Sequence, residues 1–94
     1  MERIEQARAE IDRIDQEMAR LFFARMQAAK AIALCKKEYG LPIFDPAREA
    51  EVIRKNSALV QDADLLPFCA DFFTSLMEVS KKYQKALLCE SEEL

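Results

Sequence analysis

The chain has 94 residues, 51% of them hydrophobic and 33% charged, with one glycine, three prolines, no histidine and a net charge of −3. That length holds one core, so residues 1–94 are expected to form a single domain. The acidic balance argues against a nucleic-acid surface, and there is neither an apolar run near the roughly 18 residues of a membrane span nor the apolar block of a secretory signal, so a cytoplasmic protein is expected.

The first predicted element runs from Glu2 to about Glu38, where Gly40 and Pro42 stop a helix. Ile4, Ala7, Ile11, Ile14, Met18, Leu21, Arg25, Ala28, Ile32 and Cys35 follow one another in alternating steps of three and four, the seam of a helix that packs along another helix. Such a helix is roughly 50 Å long, whereas a compact chain of this size is only about 30 Å across. Part of the seam is therefore expected to be covered by another chain.

Gly40 to Phe44 reads as a short connection. Asp45-Pro46 reads as the N-cap and first position of a second helix ending near Ser57. After the polar link Gln61 to Asp64, a third helix is expected from around Asp64 to Pro67. It carries Phe68, Cys69, Phe72, Phe73, Leu76, Met77, Ser80, Tyr83 and Leu87 at helical spacing and should fray in the acidic tail from Glu90 to Glu93. No segment alternates like a strand. The fold class is all-α, three helices with a very long first one. Cys35, Cys69 and Cys89 are odd in number and widely spaced, and without histidine they give no metal site. They read as small core residues in a reducing compartment.

Several polar residues sit where apolar ones belong. Arg25 lies in the seam, either as a register-setting or snorkelling residue or as a cation awaiting an anion. Lys36, eleven residues on, is about 20° away around the helix and about 16 Å along it, with Ile32 between them. Ser80 and Gln84 share one face of helix three with Met77. Taken singly, the serine could bond back to Leu76 and the glutamine could lie on a rim. Asp45, Arg48 and Glu49 crowd the start of helix two, as a cap with first-turn surface charges or as a ligand-facing group. Arg8 has an ordinary reading as a surface charge beside Asp12. It is about 25 Å along the helix from Arg25, so within one chain the two cannot meet one small molecule, whereas in an antiparallel helix pair they can.

This ordered set, Arg8, Arg25, Lys36, Pro42, Asp45, Arg48-Glu49 and Ser80-xxx-Gln84, resembles the all-helical (AroQ-class) chorismate mutases over nearly the whole chain, Ala7 to Leu88. The resemblance implies an interlocked homodimer that converts chorismate to prephenate on the route to phenylalanine and tyrosine. Each site would take Arg25, Lys36, Asp45, Arg48, Glu49, Ser80 and Gln84 from one chain and Arg8 from the other. Arg8 and Arg25 would each hold a carboxylate while Arg48 helps to organise the site. Glu49 would accept the ring hydroxyl, and Asp45 would orient Lys36 or that hydroxyl. Lys36 and Gln84 would donate to the ether oxygen, between apolar walls from Ile32 and Met77. Four cations against two carboxylates suit a dianion, and the rearrangement requires no cofactor.

Two rivals stand beside this reading. An isochorismate pyruvate-lyase on the same scaffold is disfavoured by Glu49, a position that is apolar in the lyases. A non-catalytic helical dimerisation module explains the seam but leaves Arg25, Ser80 and Gln84 without a purpose.

Overall fold

The computed structural model describes residues 1–93, with side-chain surroundings through Cys89. Helix α1 spans Glu2–Tyr39, α2 Pro46–Ser57 and α3 Leu66–Glu93; a short 3-10 turn, Ala63–Leu65, leads into α3. Among the described residues there is no strand, and no helix is long and apolar enough to cross a membrane.

Local chemistry sets each boundary. Gly40 adopts φ 67°, ψ 28°, the left-handed conformation that a side chain would strain. This lets the Leu41 N–H close on the Lys36 carbonyl at 2.7 Å and the Gly40 N–H on that of Lys37 at 3.3 Å. The paired closure satisfies the last carbonyls and carries α1 one residue beyond Glu38. Asp45 caps α2 through Oδ1, which accepts the Arg48 N–H at 3.1 Å, and Pro46 takes the position where its missing donor costs nothing. Asp62 accepts the Asp64 N–H at 2.9 Å, winding the polar link into the 3-10 turn.

The α3 backbone stays helical through Glu93, past the expected fraying point. Carboxylates at a helix C-terminus cost only about 0.3–1 kcal/mol each, and Leu87 and Leu88 are half-buried just before the tail. The side chains from Glu90 onward lie outside the described ones.

Helix α3 is the element on which both α1 and α2 pack. The buried set is small: Ala29, Ala33, Val52 and Met77, with the polar Ser80 and Gln84. Ala29 and Ala33, one turn apart, let α3 approach α1 closely enough for a Gln84 side chain to reach an α1 backbone carbonyl. Most of the apolar heptad seam is left uncovered by the chain itself. Ile4, Ile11, Ile14, Met18, Leu21 and Ile32 remain between 41% and 67% exposed, and Phe22, Phe72, Phe73 and Leu76 join Met18 and Leu21 around an apolar depression of about 640 Å³. The chain measures 54 × 28 × 14 Å with a radius of gyration of 16.8 Å, against about 12 Å for a compact chain of this length. The cysteines are free, but Cys35 and Cys89 are exposed and Cys69 half-buried, so they are not core residues of the single chain. Cys35 follows the seam, and the seam faces outward.

Candidate functional site

Where α1, the 40–45 connection, α2 and α3 converge, they leave an open cavity of about 250 Å³. Arg25, Ile32 and Lys36 reach it from α1. Asp45, Arg48 and Glu49 reach it from the capped start of α2, and Met77, Ser80 and Gln84 from α3. All the residues expected from one chain thus meet on one cavity. Arg8 does not: it lies exposed near the free end of α1, with no ion pair to Asp12 among the described residues.

Ser80 is buried, and its Oγ accepts from Arg25 Nη1 at 2.6 Å. Its own proton has Leu76 O at 3.1 Å as the better acceptor, with Met26 Sδ at 3.8 Å. The back-bond to Leu76 and the contact with Arg25 therefore coexist: the first aims the hydroxyl lone pairs at the second. Burial, and then the like charge of Arg48, lower the pKa of the Arg25 guanidinium. Among the described residues no carboxylate pairs with Arg25. The cation is held by a neutral hydroxyl and not by an opposite charge among the described residues.

Lys36 Nζ donates to the Ile43 carbonyl at 2.9 Å. It makes no ion pair with Asp45 among the described residues; the Asp45 carboxylate caps α2 through Oδ1. An ammonium has three donors, so two remain. Gln84 is 7% exposed, and its Nε2 donates to Ala29 O at 2.9 Å. The bond to a carbonyl fixes which end of the amide is nitrogen and uses one of its two hydrogens. Gln84 is buried, not on a rim. Arg48 lines the cavity, yet its guanidinium is held by Glu51 at 2.6 Å on the exposed side of α2.

The sequence reading passed over Lys81. It lines the same cavity and pairs with Glu49 at 2.9 Å. A signal existed, since Met77, Lys81 and Gln84 follow in steps of four and three on one face of α3. The doublet Lys81-Lys82 gives no indication which lysine turns inward. Ile43 and Val52, also on the cavity wall, were unmarked apolar residues.

A cavity with two unneutralised cations, a buried amide donor and a carboxylate on the opposite wall is suited to a small anion bearing more than one acidic group and a hydroxyl. Comparison with known proteins points the same way. The family described as chorismate mutase type II matches residues 7–85. A chorismate mutase of Methanocaldococcus jannaschii is 30% identical over 93 residues, which is 98% of this chain and 94% of that protein. A bifunctional chorismate mutase/prephenate dehydratase of Aquifex aeolicus is 46% identical over 55 residues, 58% of this chain and 15% of that protein. The T-protein of Haemophilus influenzae is 35% identical over 54 residues, 57% of this chain and 14% of that protein. The matched stretch is thus a small part of these two larger relatives. No solved structure matches.

Proposed function

The chain belongs to the chorismate mutase type II family, and from that premise we propose that it rearranges chorismate to prephenate as a single mutase domain. The observation that carries the proposal is the pairing of Arg25 and Lys36. Both face one cavity, and among the described residues neither has a carboxylate partner.

Chorismate brings two carboxylates, an ether oxygen and a ring hydroxyl. Arg25, oriented by Ser80, holds one carboxylate as a planar fork. Gripping the second selects the folded, chair-like conformer in which the bond-forming carbons approach, a positioning effect. As the C–O bond breaks, negative charge gathers on the ether oxygen. Lys36 and the remaining Gln84 hydrogen stabilise it there, with the lysine the larger contribution because it carries full charge. Glu49, held by Lys81 through Oε2, offers its other oxygen to the ring hydroxyl. Ile32 and Met77 form the apolar wall, Asp45 secures the start of α2, and Arg48 adds positive potential at the mouth. The electrons move within one molecule, so the step requires no nucleophile or cofactor.

The second carboxylate is gripped by Arg8 of a second copy of this chain. The exposed heptad seam, the apolar depression beside it and the 54 Å length of the protein support a homodimer in which two α1 helices run antiparallel. Three free thiols support a reducing compartment, the cytoplasm.

The test is incubation of the purified protein with chorismate and, separately, with isochorismate. Prephenate formation is expected. Absence of turnover would leave the dimerisation module standing, and faster pyruvate release from isochorismate would make the protein a lyase.

A further inference from the structure

Lys81 is held from three sides. Its Nζ lies 2.9 Å from Glu49 Oε2 on α2, 2.7 Å from Glu78 Oε1 one turn earlier on α3, and 4.5 Å from the centroid of the Phe44 ring in the connection. Three segments of chain converge on one ammonium. The Lys81–Glu49 side chains are only 15% and 24% exposed, whereas those of Arg48–Glu51 are 59% and 42% exposed. Exposed pairs contribute little. A shielded pair at the wall of a cavity has a larger effect on whatever enters, because water screens it less.

Resting on the mutase reading above, we propose that Lys81 is a positioning residue that acts through Glu49: it fixes one carboxylate oxygen, offsets part of the carboxylate's charge and so lets a dianionic substrate sit beside an acidic group. Glu49 alone would repel both substrate carboxylates. With Oε2 bound to Lys81, Glu49 is a one-sided acceptor whose free oxygen meets the ring hydroxyl. Glu78 and Phe44 hold the ammonium on the outer side, so Lys81 does not swing into the cavity to compete for the substrate carboxylates that Arg25 and Lys36 await. The pKa of Lys81 is raised, first by its hydrogen bond to Glu78 and then by that to Glu49.

The test is a double-mutant cycle. Lys81→Met, a change that keeps length and removes charge, is expected to raise KM about tenfold with kcat changed less than about threefold, the signature of ground-state repulsion. Lys81→Arg is expected to restore KM to within about threefold. In a Glu49→Gln background, where the cavity carboxylate that Lys81 pairs with has lost its charge, Lys81→Met is expected to change affinity less than about twofold. The dissociation constant of a bicyclic diacid transition-state analogue gives the same cycle in variants too slow to assay. An equal cost in both backgrounds, or no effect of Lys81→Met on a native protein that turns over chorismate, overturns the role. A native protein that turns over no chorismate removes the mutase reading and this role together.

Discussion

Arg25 on α1 and Ser80 on α3 are joined by a 2.6 Å hydrogen bond across 55 positions of sequence, and the same hydroxyl is tied to its own helix through Leu76 O. The guanidinium is thereby aimed before any ligand arrives. Ser80→Ala removes the aiming without removing the charge. Hydrogen bonds to charged groups contribute about 1.5–3 kcal/mol, and water replaces part of that, so kcat/KM for chorismate should fall about tenfold while the melting temperature stays close to that of the native protein. Steady-state kinetics beside a thermal melt check both halves.

Partial burial and the like charge of Arg48 disfavour the Arg25 cation, and within the chain the Ser80 hydroxyl is its hydrogen-bond acceptor among the described residues. Arg25→Met keeps the stem and discards the charge, and the Ser80 hydroxyl keeps Leu76 as partner. The variant is expected to melt at or above the native temperature and to lose at least about 100-fold in kcat/KM, the trade between stability and activity expected at a site built for an absent charge. A lower melting temperature with activity retained would show the arginine to be a packing residue.

Much of this was legible from sequence because the site is made of polar residues at positions where helical periodicity calls for apolar ones. Arg25, Ser80 and Gln84 stand out for that reason, and Asp45-Pro46 announces its helix by capping chemistry alone. The partner of Lys81 was not legible. Glu49 lies 32 positions away, and only the docking of α2 on α3 brings the two together. Nor did the heptad seam reveal which face of α1 meets α3. That contact runs through Ala29 and Ala33, one position round from the seam, where small size matters more than hydrophobicity.

Among the described residues Lys36 makes one hydrogen bond, to Ile43 O. Lys36→Ala should leave far-UV circular dichroism and the melting temperature nearly unchanged and cost about 10²–10³-fold in kcat, the usual effect of deleting a donor to developing negative charge. Activity within about tenfold of native, equivalent to about 1.4 kcal/mol of barrier, is incompatible with its stabilising the ether oxygen.

The hydrogen bond from Lys81, followed by that cation's charge, lowers the pKa of Glu78 below its ordinary 4.5. A carboxyl depressed in the folded state stabilises the protein above its unfolded pKa, and that contribution is lost as pH falls through the folded value. Glu78→Gln should therefore be less stable than the native protein at pH 7, and the gap should close as the pH falls below the ordinary carboxylate range. Urea midpoints of the two proteins across that range check the sign, and a gap that widens on acidification would contradict it.

Arg8 lies outside the cavity of its own chain, about 25 Å along α1 from Arg25. If the site takes its second carboxylate clamp from another copy, inactivating changes on different chains should complement. Arg8→Ala alone and Lys36→Ala alone should each be nearly inactive. After subunit exchange of an equal mixture, half of the dimers are mixed, and in each of those one site combines the intact Arg8 of one chain with the intact Lys36 of the other. About a quarter of native activity per site should return. Exchange confirmed by mass-tagged chains with no recovery would mean that Arg8 does not complete the site of a second copy, and the two-chain site would have to be abandoned.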